Sequence, residues 1–462
     1  MSPLKSAYEL ASERIIASKH QKEDEEQVPL DFVNIPEFSD REDRVLDDNE
    51  TKLIGEEEEE EEIVEKEYDL RVEEPESVTY DSDILETHWY GHFFDYGGFA
   101  RLNRTMAFGL SNRNVRVKVE IEPYLSHIND ATKDALERLS RSEISPSAPK
   151  IFGVTVPTNL SHPGKKIVYT MIETSEKVHK DYVGKLNLVD EIWVATEYGK
   201  EILEKSNVHP PVIVMPLGVD TSRYHPSSGA MNFPGTGKFK FLSVFRWSYR
   251  KGYDILLKAY LEEFSADEDV SLVLVSRAVE YSEELGPQQI VEDFEGVKEQ
   301  INKSEDELPH VALYTAPLRE KNMPRIYNAA DAFVLISRGE GFCLPILEAS
   351  SCGLPIIASN VTAQTDYLTN ENSYLVDPED YVEVSVNGHL SKMAKLCHFY
   401  EGQVFPDFRR GSIEKTKEHM RNVFENYDEA KGKAEKLRSL IANNYTWDMA
   451  VDRVYKRLKE IS

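Results

Sequence analysis

What most constrains this chain is a repeated alternation. Short segments rich in valine and isoleucine recur with polar, helix-compatible stretches between them, in two series. The first runs "DILETHWY", "VRVKVEI", "KIFGVTVP", "KKIVYTMIE", "EIWVATE" and "PVIVMPLG". The second runs "KFLSVFRW", "VSLVLVS", "HVALYTA", "AFVLIS" and "LPIIAS". Strands of this kind, alternating with helices, predict parallel sheets covered on both faces, an α/β class. Among the helices, "GYDILLKAYLEEF" repeats Ile255, Leu256, Ala259, Tyr260 and Phe264 at helical spacing. At the end, "TWDMAVDRVYKRLKEI" puts Trp447, Ala450, Val451, Val454, Leu458 and Ile461 on one face, with Thr446 as N-cap. Between the two series lies Met215–Lys238, a stretch whose prolines and glycines mark a linker. The chain has 462 residues, too many for one core, and two domains are expected.

The net charge of −29 is concentrated at one end. Residues 1–80 carry 9 Lys and Arg against 27 Asp and Glu, a balance of −18, including an unbroken run from Glu56 to Glu62. Such a segment has too little apolar surface to offset its ordering entropy, so an acidic, disordered tail is expected there. The remainder has an ordinary surface, with no basic stripe and no aromatic-basic interleaving that would fit nucleic acid. Three cysteines (Cys343, Cys352, Cys397) are too few for a disulfide framework. With no signal-peptide core and no run of 18 apolar residues, the expectation is a soluble cytoplasmic protein without a transmembrane segment; peripheral membrane contact stays open.

Chemistry concentrates around "SRGEGFCLPILEAS", Ser337–Ser350, a strand-to-helix turn carrying Glu340 and Glu348. Ligands of open α/β sheets lie beyond the carboxyl ends of the strands, where such turns are. Gly341 permits close backbone approach, and Pro345 suits the first turn of a helix. Free N–H groups at that helix start favour phosphate, whereas two carboxylates favour hydroxyls. A ligand with both is a nucleotide sugar; the plainer reading is a structural turn with Glu348 as a dipole partner. "VFRWSYRKG" adds Arg246 and Lys251 after the first strand of the second series, cations that can neutralise a departing diphosphate as a metal ion otherwise would. Arg250 competes for that role, and a solvated basic turn is the plain alternative. In the first series "GHFFDYGGFARLNRTMAFGL" sets Gly97 and Gly98 at another turn, either a ligand loop or a tight connection. The D-x-D pairs Asp81/Asp83 and Asp267/Asp269 are not at strand ends in a cleft, and no metal site is expected.

These motifs, in this order, resemble the retaining GT-B glycosyltransferases of the large GT4-type family. The turn "RGEGFCLPILEASSCGLPIIAS" is similar to that family's E-x7-E region. The Gly97-Gly98 loop, "VMPLGVDTSRYHP", "FRWSYRKG" and "YNAADAFVLIS" stand in the family's sequence, across roughly residues 84–462. The resemblance implies two Rossmann-like domains facing across a cleft: 81–218 for the acceptor, 219–435 for the donor, and a 436–462 segment whose helix packs back on the first domain. It implies that Glu348 holds the ribose, and that Glu340, with Gly341, Phe342, Cys343 and Leu344, holds the transferred sugar. Arg246 and Lys251 would grip the diphosphate, Gly97 and Gly98 would approach it from the first domain, and the base would lie near Tyr314–Asn322.

Three departures stand out. Cys343 replaces a glycine common in the family; it reads as a small filler, with no activating partner to make it a nucleophile. A glycine pair after the next strand is replaced by "VTAQTDYL", Val361–Leu368. Where relatives place a histidine near the reacting sugar, Glu173 is the nearest candidate, facing donor or acceptor. The expected activity is retaining, metal-independent transfer of a hexose from a UDP- or GDP-linked donor to an unidentified glycan, lipid or protein, with no cofactor. The alternatives are a nucleotide-sugar hydrolase or phosphorylase, and a degenerate GT-B scaffold.

Overall fold

The computed structural model describes residues 84–95, 97–121, 130–157, 160–278, 286–315, 320–388, 390–396 and 400–462. The acidic segment 1–80, and with it the expected tail, lies outside the described residues, as does the Asp81/Asp83 pair.

The first series of apolar segments folds as β1 (Glu86–Gly91), β2 (Arg116–Ile121), β3 (Lys150–Gly153), β4 (Lys166–Thr170), β5 (Glu191–Val194) and β6 (Val212–Val214). They form one parallel sheet ordered β2-β1-β3-β4-β5-β6. Strand order reverses at β1, which pairs β2 on one side and β3 on the other. The segments after β1 and β3 therefore diverge and leave a crevice at their carboxyl ends. Helices α1 (Gly98–Ser111) and α2 (Asp130–Ser140) follow β1 and β2, and α3 (Lys180–Leu186) and α4 (Glu197–Lys205) follow β4 and β5. Phe152, Val168, Ile192 and Val194 turn to the side of α3 and α4, where Tyr182, Leu186, Ile202 and Leu203 bury against them. Trp89, Ile151 and Ile167 join the larger core with Leu102, Met106 and Leu136.

The second series forms β7 (Phe239–Trp247), β8 (Val270–Ala278), β9 (His310–Tyr314), β10 (Ala332–Leu335) and β11 (Ile356–Ser359), joined by β12 (Tyr374–Val376). This sheet is also parallel, in the order β12-β11-β10-β7-β8-β9. Its switch point lies between β7 and β10, and both sequence motifs with charged side chains leave from these two strands. Helices α5 (Tyr253–Glu263), α6 (Gly286–Lys298), α7 (Met323–Tyr327) and α8 (Leu344–Ser351) supply the crossovers. In α5 the expected stripe is buried: Ile255, Leu256, Ala259 and Tyr260, with Phe264 just beyond it. Two strands of an antiparallel pair, β13 (Asp380–Glu383) and β14 (Val404–Asp407), flank α9 (Ser391–Leu396).

The chain ends in α10 (Arg410–Glu425), α11 (Tyr427–Asn444) and α12 (Trp447–Ile461). Thr446 caps α12 by accepting from the Met449 amide, and Ala450, Val451, Val454 and Leu458 are buried. Helix α12 belongs to the first domain's surface, since Val451 lies where a Cβ on Gly109 of α1 would stand. The chain thus crosses between the domains twice, and the crossings touch. The Val219 amide donates to the Tyr445 carbonyl (2.9 Å), and the Trp447 amide to the Val219 carbonyl (3.3 Å). Gly218 is what lets them meet, because a side chain there would fall inside the backbone of Thr446 and Trp447.

Candidate active site

The loops leaving β7 and β10 are knitted together at the backbone. The Arg338 amide donates to the Arg250 carbonyl (2.7 Å), and the Ser337 hydroxyl bonds the carbonyls of Arg250 and Gly339. This brings Lys251 and Glu340 face to face. The Lys251 ammonium donates to both oxygens of Glu340, at 2.7 and 2.8 Å, and the carboxylate is 3% exposed. Burial pushes the Glu340 pKa up, but the Lys251 and Arg250 cations outweigh it and hold the carboxyl below its ordinary range. Glu340 is therefore an anion poised at a sheet's switch point.

The segment that departs from the family pattern supports this loop from behind. Thr362 Oγ1 accepts from the Glu340 amide (3.0 Å), and the Tyr367 hydroxyl donates to the Phe342 carbonyl (2.6 Å). Two non-glycine residues here have left-handed backbones: Cys343 at φ 70° and Thr362 at φ 52°. Such angles disfavour a side chain, most of all a β-branched one, and they gather at functional loops. The Cys343 thiol is buried, which pushes its pKa far up, so it is a packing group and no thiolate.

Glu348 projects from α8 and is 4% exposed. One oxygen accepts from the Tyr327 hydroxyl (2.6 Å), the other from Arg101 of α1, in the opposite domain. Arg101 also pairs with Glu320 and reaches the Tyr224 hydroxyl (3.3 Å). Arg104, one turn along α1, is 1% exposed, donates to the carbonyls of Phe93 (2.6 Å) and Asp95 (2.7 Å), and lies 3.7 Å from Glu320. Burial raises the Glu320 pKa, and Arg101, Arg104 and Arg223 more than reverse it. None of these arginines was singled out from the sequence.

Gly97 and Gly98 begin α1. The Gly97 amide donates to the Asp95 carboxylate, whereas a Cβ on Gly98 would meet nothing within 4 Å among the described residues beyond its own helix backbone and chain neighbours. Gly98 is thus a glycine that the fold itself does not demand. Asn103, also unforeseen, anchors the loop. Fully buried, it accepts from the Trp89 indole (2.9 Å) and donates to the carbonyls of His92 (2.8 Å) and Gly153 (2.9 Å), tying the ends of β1 and β3 to α1.

The remaining predicted positions divide. Arg246 is exposed at the end of β7, and its side chain has no hydrogen bond or ion pair among the described residues; Phe245 and Trp247 beside it are buried, so strand alternation turns it outward. Arg250 points inward, pairing with Glu173 (3.2 Å) and donating to the Gly339 carbonyl. Glu173, from the loop after β4, also accepts from the Tyr400 hydroxyl (2.5 Å), so it stands as a tie between domains. Gly341 makes its close approach to the first domain: a Cβ there would lie 2.5 Å from that of Met171. Leu344 opens α8, and Phe342 packs on Tyr367 and Tyr445. Tyr314 packs against Phe233, while 316–319 of the expected base-binding stretch lie outside the described residues. Asp267 and Asp269 sit in the turn before β8, at the opposite end of that strand from the site. Among the described residues no cluster of acidic, histidine or cysteine side chains could hold a metal ion, and no helix is long and apolar enough to cross a membrane.

Two parallel doubly wound sheets, with their switch points facing across a cleft and joined by two crossings, define the GT-B architecture of glycosyltransferases. Residues 238–388 match the family model for glycosyl transferases group 1. The lipopolysaccharide core mannosyltransferase LpsB of Rhizobium meliloti (strain 1021) is 28% identical over 192 residues, covering 40% of this chain and 51% of that protein. This chain spans about half the length, or less, of the curated relatives it matches first. Among solved structures, sucrose-phosphate synthase from Thermosynechococcus elongatus aligns with a TM-score of 0.58 at 15% identity, over 82% of this chain and 100% of that one. Anabaena HepE, in complex with UDP and glucose, aligns with a TM-score of 0.55 at 12% identity, over 81% and 100%.

Proposed function

We propose that this protein is a retaining glycosyltransferase that moves a hexose from a UDP- or GDP-linked donor to a glycan, lipid or protein acceptor. The observation that carries the reading is the Glu340–Lys251 pair, buried at the switch point between β7 and β10, with Glu348 eight residues on and met by Arg101, which follows Gly98 by three residues in the other domain. Glu340 takes hydroxyls of the transferred sugar and Glu348 those of the ribose. Lys251 and Arg246 take the diphosphate, with the positive end of the α8 dipole beside them. The bond from the sugar's C1 to the diphosphate oxygen breaks, and its electron pair leaves with the diphosphate. The acceptor oxygen bonds C1 on the same face and its proton passes to a departing phosphate oxygen. The cations meet charge that grows in the transition state, so the step needs no metal ion. The complex of HepE with UDP and glucose supports a nucleotide-sugar donor. Two left-handed non-glycine residues and two buried carboxylates are costly to keep, which favours an enzyme over a degenerate scaffold.

The test is a screen of UDP-, GDP- and ADP-linked hexoses with the full chain, reading nucleoside diphosphate release and sugar transfer, with chelator and without. Release from one donor class, undiminished by chelator, is the expected result. No release from any donor, together with no rise in melting temperature on adding UDP, GDP or ADP, would sink the proposal.

A further inference from the structure

We infer that Arg101 is a built-in competitor for the ribose site. In the free protein it occupies the Glu348 oxygen that a nucleotide's hydroxyls take, and it latches the two domains by doing so. The inference rests on the donor reading of Glu348 given above.

Both oxygens of Glu348 are engaged, one by Tyr327 of the same domain and one by Arg101 of the other. The carboxylate is 4% exposed, so an incoming hydroxyl has no free face to approach. It must replace one donor or the other. The Tyr327 ring is fully buried and stacks edge-on against Tyr224, which fixes its hydroxyl in place. Arg101 stands on a long, jointed side chain and remains partly accessible. It is the donor that can yield.

The surroundings make that exchange cheap. Arg101 bridges Glu348 and Glu320, and without it Glu320 still has Arg104, itself locked by the Phe93 and Asp95 carbonyls. The departing guanidinium leaves one carboxylate with a cation and the other with the ligand's hydroxyls. No buried charge is stranded, which is the usual penalty for opening a buried ion pair. Arg101 also belongs to the first turn of α1, three residues beyond Gly98, so the same helix offers both the latch and the loop facing the donor. Nucleotide entry and release of this domain contact are thereby coupled, and coupling is reciprocal: whatever loosens the latch raises nucleotide affinity.

Arg101→Gln tests this in the full-length protein, with UDP, GDP and ADP as probes. Calorimetric titration is expected to show nucleoside diphosphate binding tightened by at least about fivefold. Small-angle scattering is expected to show a larger radius of gyration for the free variant than for the free wild type. Arg101→Lys, which keeps a cation but loses the fork, should move both readouts the same way by less, and it stands in if Arg101→Gln does not fold. Unchanged or weakened affinity overturns the inference, because Arg101 is then a bystander or a nucleotide ligand. If the wild type binds none of the three nucleotides, the donor reading has failed. The latch is then judged by scattering alone, and an unchanged radius overturns it.

Discussion

Lys251 and Glu340 share a two-pronged contact: one ammonium nitrogen, two carboxylate oxygens, 2.7 and 2.8 Å, in a setting nearly closed to water. Breaking one side of such a pair strands the other. Lys251→Ala leaves Glu340 with Arg250 at 4.0 Å as its remaining cation, and is expected to destabilise the protein by about 3 kcal/mol. Glu340→Gln should cost less, and the double variant should be more stable than Lys251→Ala alone. Turnover should fall by roughly 10²–10³ in each single variant. Urea unfolding beside steady-state kinetics reads both effects; wild-type turnover in both single variants would falsify the assignment.

The same pair sets an acid limit. Burial pushes the Glu340 pKa up, Lys251 and Arg250 push it further down, and the folded value ends below the unfolded one. A depressed carboxyl contributes stability that is complete above the unfolded pKa, about 4.3, and fades as pH drops through the folded value. The stability gap between wild type and Glu340→Gln should therefore be constant from pH 7 to about 5 and shrink towards pH 3. Urea midpoints across that range check it, and a gap that holds its size at pH 3 contradicts the ion-pair account.

Gly98 separates folding from binding. A methyl group there enters open space, at a helix start where alanine is well tolerated. Gly98→Ala should melt within about 1 kcal/mol of the wild type. On the proposed reading, in which the donor's diphosphate takes that space, its affinity for nucleoside diphosphate should drop tenfold or more. Equal affinity in the two proteins would make the loop a simple connection.

Cys343 carries backbone strain rather than chemistry. At φ 70° it stands where glycine is comfortable and a β-branched residue is not. Cys343→Gly should be at least as stable as the wild type despite losing a buried side chain, and should keep its turnover. Cys343→Val should lose roughly 2 kcal/mol. Melting curves of the two variants decide; loss of turnover in the glycine variant at full stability would point to a role for the thiol.

Each of the eleven segments became a strand: the inner ones were legible as continuous apolar runs, and β1 and β2 as period-two alternation, since their residues are buried on one face only. Strand β12 was not legible: Tyr374–Val376 is three residues long like β6, but β6 lies within the longer apolar run "PVIVMPLG", whereas polar "NENS" and "DPED" close in on β12. Strands β13 and β14 were missed for another reason: their pairing joins Asp380 to Asp407 across a long connection. At the site, Glu340 and Glu348 were visible because one short strand-to-helix stretch carries both, Glu340 in its loop and Glu348 in the helix that follows. Arg101 was not, because its meeting with Glu348 spans 247 positions and nothing local marks an arginine on an amphipathic helix. The outward turn of Arg246 could have been read from alternation between the large apolar neighbours Phe245 and Trp247. Thr362 lies in the departing stretch Val361–Leu368, and that it holds the Glu340 amide follows from the fold and from no local pattern.

The paired crossings at Val219 and Tyr445–Trp447 have a mechanical consequence. A single tether lets two bodies swivel, twist and slide. Two tethers bonded side by side resist twisting and sliding, since either would shear the hydrogen bonds between them. What remains is a bend about one line, like a door on two pins. Any closing stroke would then follow one arc, and because Tyr445 of the joint packs on Phe342, that arc is tied directly to the loop that carries Glu340.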